Sequence, residues 1–350
     1  MELPVKHLPT FMAIVEEGSF EGAAKRLHVT PSAISQRVRA LEQRVGSVLL
    51  RRTRPVSTTE AGAVLLRAAR QISRVAADLA EELGAGPAEG SLIPLVVNAD
   101  SLATWFVPVL ARAARETGAR FEVIRADETV SVERLRSGET MAAVTATAEA
   151  VPGCTSTLLG LHRYLAVASP EFKTEHFADG VTAAALATAP VLEFDRHDAF
   201  QRRFIRRTTR TRLDPPRHMI PSSAEFAAAI EHGMGWGMLP EQQVAPALAA
   251  GRLVELAPGA PIDLPLYWQR WNLRSPSLDA LTAIVTEEAA SALSAPTTRS
   301  RADSRLHHRP GPRHDPRHDP ARSDPARSDP APRTATPASG RAAVPDETAP

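Results

Sequence analysis

The chain has 350 residues, of which 43% are hydrophobic and 23% charged, proportions typical of a globular protein with two or three domains. Its apolar runs are far shorter than the roughly 18–20 residues of a membrane span, and its first residues predict no secretory signal. A single cysteine, Cys154, excludes an intramolecular disulfide. Together these features predict a cytoplasmic protein that makes no membrane contact.

The basic residues of the chain are unevenly placed, although the net charge is only +1. Between Lys25 and Arg54 the sequence has eight basic residues and one acidic residue, Glu42. Such a cluster is typical of a surface that binds the phosphates of a nucleic acid. On charge alone, a solvated basic surface is an equally good interpretation.

Residues 1–58 predict three short helices with distinct end signals. Apolar residues recur at helical spacing from position 8 to position 15, and Gly18 ends this first helix. Ser19 is the expected N-cap of the second helix. Thr30 caps the third helix, and Pro31 occupies its first position, where a missing N–H costs little.

The third helix is amphipathic, and one of its faces is suited to reading DNA. Its N-terminal half carries hydroxyl, amide and guanidinium groups, which bond to base edges and phosphates in the major groove. After Gly46 the chain becomes extended and arginine-rich, and we interpret this segment as a wing that contacts the flanking backbone or the minor groove. The predicted DNA-binding residues are Ser19, Thr30, Pro31, Ser32, Ser35, Gln36, Arg37, Arg39, Arg51, Arg52 and Arg54.

Residues 11–62 resemble the N-terminal domain of LysR-type transcriptional regulators, a winged helix-turn-helix. The matching segments are Gly18-Ser19-Phe20, Ala23-Ala24, Leu27, Thr30-Pro31-Ser32-Ala33-Ile34-Ser35, Leu41-Glu42, Gly46, Leu49-Leu50-Arg51-Arg52 and Thr59-Glu60-Ala61-Gly62. The family more often has Gln in place of Pro31 and Ala in place of Gly22. The resemblance implies that residues 1–58 are a DNA-binding domain whose partner is a double-stranded operator.

Residues 59–86 predict one long linker helix. Its apolar positions alternate steps of four and three, a heptad-like seam formed by Ala61, Leu65, Ala68, Ile72, Val75, Leu79 and Leu83. Pairing of this seam with a second chain would present two reading heads to two half-sites. The alternative is burial against the rest of the same chain. The family resemblance implies a homodimer, and commonly a homotetramer.

Residues 91–294 alternate strand-like and helical segments, which predicts an α/β fold. Strands are predicted at 92–97, 121–124, 141–145, 164–168, 191–194 and 264–271, with a helix from about 103 and a closing helix at 277–293. Gly233-Met234-Gly235-Trp236-Gly237 follows a predicted helix, so we interpret it as a helix-to-strand turn rather than a dinucleotide-binding loop.

Polar groups follow several of these strands, at the edge where open α/β sheets bind ligands. Asp100-Ser101 and Ser222-Ser223-Ala224-Glu225 offer hydroxyls and backbone N–H groups that suit a carboxylate. Each segment alone is better explained by ordinary helix capping. Asp127 and Asp195 offer carboxylates that suit an ammonium or guanidinium group, although each alone is better explained as a solvated loop residue.

Further segments are similar to the ArgP/LysG branch of the LysR-type family, and the likeness covers roughly residues 3–294. They are Asn98-Ala99-Asp100-Ser101-Leu102-Ala103-Thr104-Trp105, Asp127-Glu128-Thr129, Glu133-Arg134-Leu135-Arg136-Ser137-Gly138-Glu139, Ala189-Pro190-Val191, Ser222-Ser223-Ala224-Glu225-Phe226 and Leu266-Tyr267-Trp268. The resemblance implies a periplasmic-binding-protein-like regulatory domain of two subdomains, 91–162 with 268–294 and 163–267. The arginine-rich stretch at 202–212 fits the branch poorly.

The resemblance also implies an effector, a basic amino acid such as lysine or arginine, with histidine left open. Ser101, Leu102, Thr145 and Ser223 would hold its backbone, and Asp127, Asp195 or Glu225 its side chain. Such a regulator controls genes of amino-acid export or metabolism, with RNA polymerase as a further candidate partner. The alternatives are a LysR-type DNA-binding protein that responds to another metabolite or to none, and an α/β ligand-binding protein or enzyme whose N-terminal helices only dimerise.

The rest of the sequence adds expectations of absence. It has no hydrolase nucleophile motif, phosphate-binding loop or Cys-x-x-Cys pair, so we expect no catalytic residue, no cofactor and no metal. Residues 296–350 are rich in proline and repeat Arg-His-Asp-Pro and Ala-Arg-Ser-Asp-Pro, which predicts a disordered tail. The predicted fold is therefore a multidomain α+β protein.

Overall fold

A computed structural model describes residues 3–84, 92–126 and 128–295 of the chain. The tail predicted at 296–350 and the candidate effector residue Asp127 lie outside these described residues. Three structural parts follow one another along the chain: a small helical domain, a long helix and an α/β domain whose larger hydrophobic clusters lie in two successive parts.

The N-terminal domain consists of three helices and a short hairpin. They are α1 (Leu8–Glu17), α2 (Phe20–Arg26), α3 (Pro31–Val45), β1 (Leu50–Arg51) and β2 (Ser57–Thr58). The predicted end signals are confirmed: Gly18 has φ 63° after α1, Ser19 Oγ accepts the Gly22 N–H at 3.0 Å, and Thr30 Oγ1 accepts the Ala33 N–H at 3.2 Å. The domain closes around the fully buried Phe11, Ile14, Ile34 and Leu41.

Helix α4 (Glu60–Glu82) leaves this domain in one continuous run. Its first turns pack into the N-terminal core through Leu65, Leu66 and Ala69. Gly62 allows the close approach, because a Cβ at this position would lie 1.9 Å from the Leu49 carbonyl oxygen.

The two long sides of α4 face different surroundings. The second half of the predicted seam is exposed, with 40% of Ile72, 46% of Val75, 54% of Leu79 and 73% of Leu83 accessible. The alternative prediction, that this half of the seam packs against the rest of the same chain, is therefore wrong. The opposite side donates three hydrogen bonds to the α/β domain: Arg67 to the Pro152 carbonyl (2.8 Å), Arg70 to the Ser137 carbonyl (3.1 Å) and Arg74 to Ser277 Oγ (2.7 Å).

The first part of the α/β domain is a parallel sheet in which β3 (Leu92–Val97) lies between β4 (Arg120–Arg125) and β5 (Ala142–Thr145). Three helical segments connect or cover these strands: α5 (Ala99–Ser101), which continues through a π-helical turn (Leu102–Phe106) into α6 (Val107–Thr117), and α7 (Glu128–Ser137). The helix after β3 starts at Ala99, before the predicted position near 103, because the Asn98 side chain accepts the Ser101 N–H at 2.8 Å and caps it early.

Two long antiparallel strands carry the chain into and out of the second part. They are β6 (Cys154–Ala168) and β11 (Ile262–Trp271), paired along their length from Ile262–Tyr164 to Trp271–Cys154. The predicted strand at 164–168 is only the last third of β6, because the sequence of the preceding ten residues did not indicate a strand. The predicted subdomain boundaries near 162 and 268 fall within these two strands.

The second part of the domain packs helices against short strands around Phe204 and Trp236. Its elements are α8 (Pro170–His176), α9 (Ala183–Thr188), β7 (Val191–Glu193), α10 (Phe200–Thr209), β8 (Arg217–Met219), α11 (Ser223–Glu231), β9 (Gly237–Pro240), α12 (Glu241–Ala249) and β10 (Val254–Glu255). The glycine-rich segment at 233–237 joins α11 to β9, as predicted. Helix α13 (Pro276–Ala292) then returns to the first core, around Trp268 and Phe106.

Candidate functional site

The N-terminal half of α3 presents an exposed polar face. Ser32, Gln36 and Arg39 lie on it at helical spacing and are exposed, while Ile34 and Val38 on the other side are buried. Thr30 and Pro31 are exposed at the start of the helix, and Ser35 is half-buried, with its hydroxyl donating to the Pro31 carbonyl at 3.0 Å. This face can enter a major groove without rearrangement of the core.

Two of the predicted DNA-binding residues are engaged within the domain instead. Arg37 donates to the hydroxyl of the buried Thr10 at 3.1 Å, so its guanidinium points away from the exposed face of α3. Ser19 is half-buried and caps α2. The sequence pattern could not separate these roles, because a guanidinium or a hydroxyl at these positions fits either one.

The hairpin of β1 and β2 forms the predicted wing. Arg51, Arg52 and Arg54 are all exposed on it, and the Arg52 guanidinium lies 5.6 Å from the centre of the Phe20 ring. Glu42, the one acid of the basic cluster, accepts the Leu49 N–H at 2.9 Å and ties the hairpin to α3. The cluster therefore forms an outward-facing basic surface whose single acid has a structural role.

A second polar site lies between the two parts of the α/β domain. Asp100, in the helix that follows β3, accepts a hydrogen bond from Ser223 Oγ at 2.6 Å and another from the Tyr164 hydroxyl at 2.7 Å. Ser223 opens α11 and Tyr164 lies on β6, so one carboxylate joins the first part of the domain to the second. We refer to this region as the cleft.

The predicted hydroxyl ligands differ in their availability. Ser101 is fully buried beside Asp100, and its hydroxyl contacts no hydrogen-bond partner among the described residues. Thr145 is buried at the end of β5, where its hydroxyl donates to the Thr147 carbonyl at 3.1 Å. Leu102 is half-buried in the π-helical turn after Ser101.

Glu225 lies on the outer side of α11 and is exposed. It accepts a hydrogen bond from the Ser222 hydroxyl, and this bond lowers the pKa of Glu225. The pair is a local contact at the start of the helix. It does not contribute a carboxylate to the centre of the cleft.

Asp195 follows β7 as predicted, but its carboxylate is already used by the turn it begins. It accepts the backbone N–H of His197 at 2.7 Å and that of Asp198 at 3.1 Å. Asp198, three residues later, is half-buried, and its pKa is raised by burial and, as a smaller cause, by the charge of Asp100. Asp198 accepts the N–H groups of Phe194 at 2.9 Å and Phe200 at 3.0 Å.

Three more polar side chains of this region are not evident from the sequence. Glu193 is 2% exposed, and burial raises its pKa although Arg217 lies 3.9 Å away. Tyr164 is buried and stacks on Phe200 with ring centres 4.1 Å apart. His162 is 2% exposed, and burial lowers its pKa to about 4 against the opposing effect of Asp100.

The arrangement around the cleft is acidic, partly aromatic and lined by helix starts. Asp100 provides a carboxylate, and the half-buried ring of Phe200 stacks on the buried ring of Tyr164 beside it. Backbone N–H groups and hydroxyls at the starts of the helices can hold a carboxylate. A ligand that carries both an anionic and a cationic group matches this chemistry.

Other features of the described residues do not favour catalysis. No group of three His, Cys, Asp or Glu side chains suited to a metal occurs in the part of the chain that the structure describes. Burial raises the pKa of Cys154 to about 11, so its thiol is protonated at neutral pH. Among residues 3–84, 92–126 and 128–295, no helix is long and apolar enough to cross a membrane.

A cavity of about 670 Å³ lies elsewhere, between α1, α4 and the edge of the parallel sheet. Its walls include Met12, Arg70, Arg134, Glu139 and Trp271. It is an open groove where the DNA-binding domain and linker helix meet the α/β domain. The convergent carboxylates and hydroxyls of the cleft make the cleft, rather than this groove, the better candidate for a small polar ligand.

Two segments of the chain match known protein families. Residues 5–63 match the bacterial regulatory helix-turn-helix protein, lysR family, and residues 93–290 match the LysR substrate binding domain. The lysine export transcriptional regulatory protein LysG of Corynebacterium glutamicum is 43% identical over 289 residues, which are 81% of this chain and 96% of that protein. The HTH-type transcriptional regulator ArgP of Pseudomonas aeruginosa is 40% identical over 280 residues, covering 79% of this chain and 93% of that protein.

Two solved structures extend the likeness to three dimensions. ArgP from Mycobacterium tuberculosis superimposes with a TM-score of 0.78 at 42% identity, covering 83% of this chain and 98% of that one. Full-length LysG from Corynebacterium glutamicum with bound effector Arg gives a TM-score of 0.73 at 41% identity, covering 83% and 100%. With an exposed helix-turn-helix face, a wing and a two-part α/β domain, this chain belongs to the LysR family of bacterial transcriptional regulators, which are DNA-binding proteins rather than enzymes.

Proposed function

We propose that this regulator binds operator DNA through α3 and its wing and senses a basic amino acid, arginine or lysine, in the cleft. The bound state then controls genes of amino-acid export or metabolism. The observation that carries the proposal is the partly buried contact of Asp100, a carboxylate of the first part of the domain, with the hydroxyls of Ser223 and Tyr164 in the second part.

A cationic ligand would relieve the electrostatic cost of the carboxylates Asp100 and Asp198. The charge of Asp100 contributes, after burial, to the raised pKa of Asp198, so ionisation of Asp198 is disfavoured in the absence of a cation. A guanidinium or ammonium between them would stabilise both, since charge-assisted hydrogen bonds to carboxylates are the strongest of their kind. The stacked rings of Tyr164 and Phe200 offer a surface for the aliphatic stem or for the guanidinium plane.

The relatives support the same ligand class. LysG of Corynebacterium glutamicum is named for lysine export, and its full-length structure contains arginine as effector. Identity above 40% over four-fifths of the chain makes a related ligand the best assignment for the cleft.

We assign the roles as follows. Ser101, Leu102, Thr145 and Ser223 hold the carboxylate end of the amino acid, as the resemblance implies, and Asp100 holds its ammonium group. Asp198, supported by Glu193, holds the side-chain cation in place of Asp195 and Glu225. Asp127, which lies outside the described residues, keeps its predicted role as a ligand of the side-chain cation.

Effector binding would act through the bonds that Asp100 makes across the cleft. Its partners Ser223 and Tyr164 belong to the second part of the domain, so a ligand that competes for Asp100 changes how the two parts close. The subdomains in this proposal are 91–162 with 268–294 and 163–267.

The assembly proposed for DNA binding is a homodimer, or a homotetramer built from two dimers. The exposed seam residues of α4 are the surface that a second copy would cover, because four large apolar side chains in a row are costly to leave in water. Two copies would bring two reading heads to two half-sites. We place this regulator in the cytoplasm, where it reaches DNA and RNA polymerase.

Calorimetric titration of the full chain with arginine, lysine, histidine, citrulline and norleucine tests the ligand. We expect binding of arginine or lysine, and at least 100-fold weaker binding of citrulline and norleucine, which keep the amino-acid backbone but lack the side-chain cation. Equal binding of arginine and citrulline would contradict the role of Asp198. No binding of any of the five would favour a regulator that responds to another metabolite or to none.

A further inference from the structure

We propose that helix α10, in the second part of the α/β domain, is an additional contact for the phosphate backbone of DNA. Residues 196–217 contain eight arginines and two acids, which are Arg196, Arg202, Arg203, Arg206, Arg207, Arg210, Arg212, Arg217, Asp198 and Asp214. Neither the wing nor the cleft uses this surface. The inference goes beyond the proposed effector response and does not depend on it.

Helix α10 is sharply divided between a buried and an exposed side. Gln201, Phe204 and Ile205 are buried and hold the helix against the second core. Arg206 and Arg210 are exposed on the opposite side, with Arg202 one turn before them. The helix is therefore fixed in place while its arginine side faces outward, as a preformed binding surface requires.

The two acids of the segment neutralise little of this charge. Asp214 pairs with Arg217, and Asp198 accepts backbone N–H groups near the cleft. Arg202 donates to the Asp198 carbonyl at 2.6 Å, which is a neutral acceptor. Arg196, Arg206, Arg210 and Arg212 make no ion pair or side-chain hydrogen bond with the residues that the structure describes. We call these four residues the α10 surface.

The spacing of the arginines favours a nucleic-acid backbone over an acidic protein. Arg202 and Arg206 lie one turn apart on α10, which separates their positions by about 6 Å along the helix, and Arg210 follows directly after the last helical residue, Thr209. A DNA strand presents single negative charges in a similarly regular row. All the basic residues of the segment are arginines, whose planar guanidinium matches phosphate geometry in two hydrogen bonds.

A weak contact would be sufficient at this place. The winged helix-turn-helix already holds the chain on DNA, so contact by α10 is an intramolecular event at a millimolar effective concentration. Phosphate contacts of this kind add affinity without sequence preference, and their signature is a steeper dependence on salt.

The test compares two triple variants of the full chain. Arg206→Gln, Arg210→Gln and Arg212→Gln remove three charges of the α10 surface. The matched control, Arg115→Gln, Arg136→Gln and Arg274→Gln, removes three exposed charges elsewhere. Fluorescence anisotropy measures binding to mixed-sequence duplexes of 20 and 60 base pairs from 50 to 300 mM KCl, and circular dichroism checks folding. Only the longer duplex extends well beyond the reading heads.

We expect the α10 variant to lose about one unit of the log K against log salt slope for each arginine, up to about three per protomer, on the 60-base-pair duplex. The α10 variant should lose less of this slope on the 20-base-pair duplex. The control variant should lose the least on either duplex. Equal slopes for the α10 variant and its control on the longer duplex would overturn the proposal. Unchanged slopes together with lost transcription in a purified polymerase assay would overturn it in favour of an acidic protein partner.

Discussion

Asp100 accepts a hydrogen bond from the Ser223 hydroxyl, with 2.6 Å between the two oxygens. This bond joins α5, the helix that follows β3, to the start of α11 in the other half of the domain. The hydroxyl and the carboxylate come from segments more than a hundred residues apart. Both residues are also part of the proposed effector site. Ligand binding and closure of the cleft are therefore two uses of the same groups.

Replacement of Asp198 by Asn should remove the preference for a cationic side chain. The amide loses the negative charge and keeps one oxygen, which can accept only one of the Phe194 and Phe200 N–H groups that the two carboxylate oxygens accept separately. Breaking a partly buried charge pair typically costs about 2–5 kcal/mol, so we expect arginine to bind at least 30-fold more weakly by calorimetry. Asp195→Asn is the matched control, because Asp195 serves its own turn. A larger loss of arginine affinity in Asp195→Asn than in Asp198→Asn would show that Asp195, the residue predicted from the sequence, holds the side-chain cation.

His162 should make the protein less stable in mild acid. Burial lowers the pKa of His162 to about 4 in the folded state, whereas a histidine in the unfolded chain has a pKa near 6.5. Between these two pKa values the unfolded state binds a proton that the folded state does not bind, so protonation favours unfolding. The stability lost this way grows as pH falls and reaches about 2 kcal/mol at pH 5. Urea unfolding of the wild type and of His162→Gln at pH 7 and pH 5 measures it. The wild type should lose about 2 kcal/mol more than the variant between the two pH values, and an equal loss would contradict the burial effect.

Gln36 and Arg37 are neighbours in sequence but should behave differently when replaced by Ala. Gln36 is exposed on the reading face, so its loss should relax operator specificity by about 1–3 kcal/mol and leave the melting temperature unchanged. Arg37 bonds to the buried Thr10, so its loss should lower the melting temperature first. Competition binding with single-base operator variants, beside thermal unfolding of both proteins, separates the two effects. The reverse pattern would place Arg37, not Gln36, on the DNA.

A charge on the exposed seam of α4 should break the dimer. Leu79 is 54% exposed within one chain, and a second copy would bury it, so Leu79→Glu would place a carboxylate in an apolar interface. We expect sedimentation to give a monomer for this variant and weaker operator binding, since one reading head loses its partner. Ser73→Glu adds the same charge to the same helix away from the seam and should stay dimeric. A dimeric Leu79→Glu protein would move the interface to another surface.

The helical ends and the reading face could be predicted from the sequence because their signals are local. Ser19, Thr30 and Gly18 act on residues within one turn of themselves, and the amphipathic pattern of α3 depends only on helical spacing. The family motifs at the same positions reinforced those signals. The resulting prediction of a LysR-type winged helix-turn-helix is confirmed by the family match.

The cleft could be predicted only in part, because its members come from distant segments. Asp100, Ser101 and Ser223 follow strands and were found by that rule, and Thr145 came from the family resemblance. His162 lies in the part of β6 before the predicted strand, so its buried position was not evident. Asp195 and Asp198 are three residues apart in one loop. Only the conformation of that loop decides which backbone N–H groups each carboxylate accepts.

The two long strands β6 and β11 have a consequence for how such a regulator can change its ligand over time. The chain enters its second half through β6 and leaves through β11, while Arg67, Arg70 and Arg74 attach the linker helix to the first half. The second half is thus an insertion within the first half, and the first half is the part that is attached to the linker helix and the DNA-binding domain. Changes on the insertion's side of the cleft, which carries Tyr164 and Ser223, would alter the chemical signal while the promoter-binding unit stays unchanged.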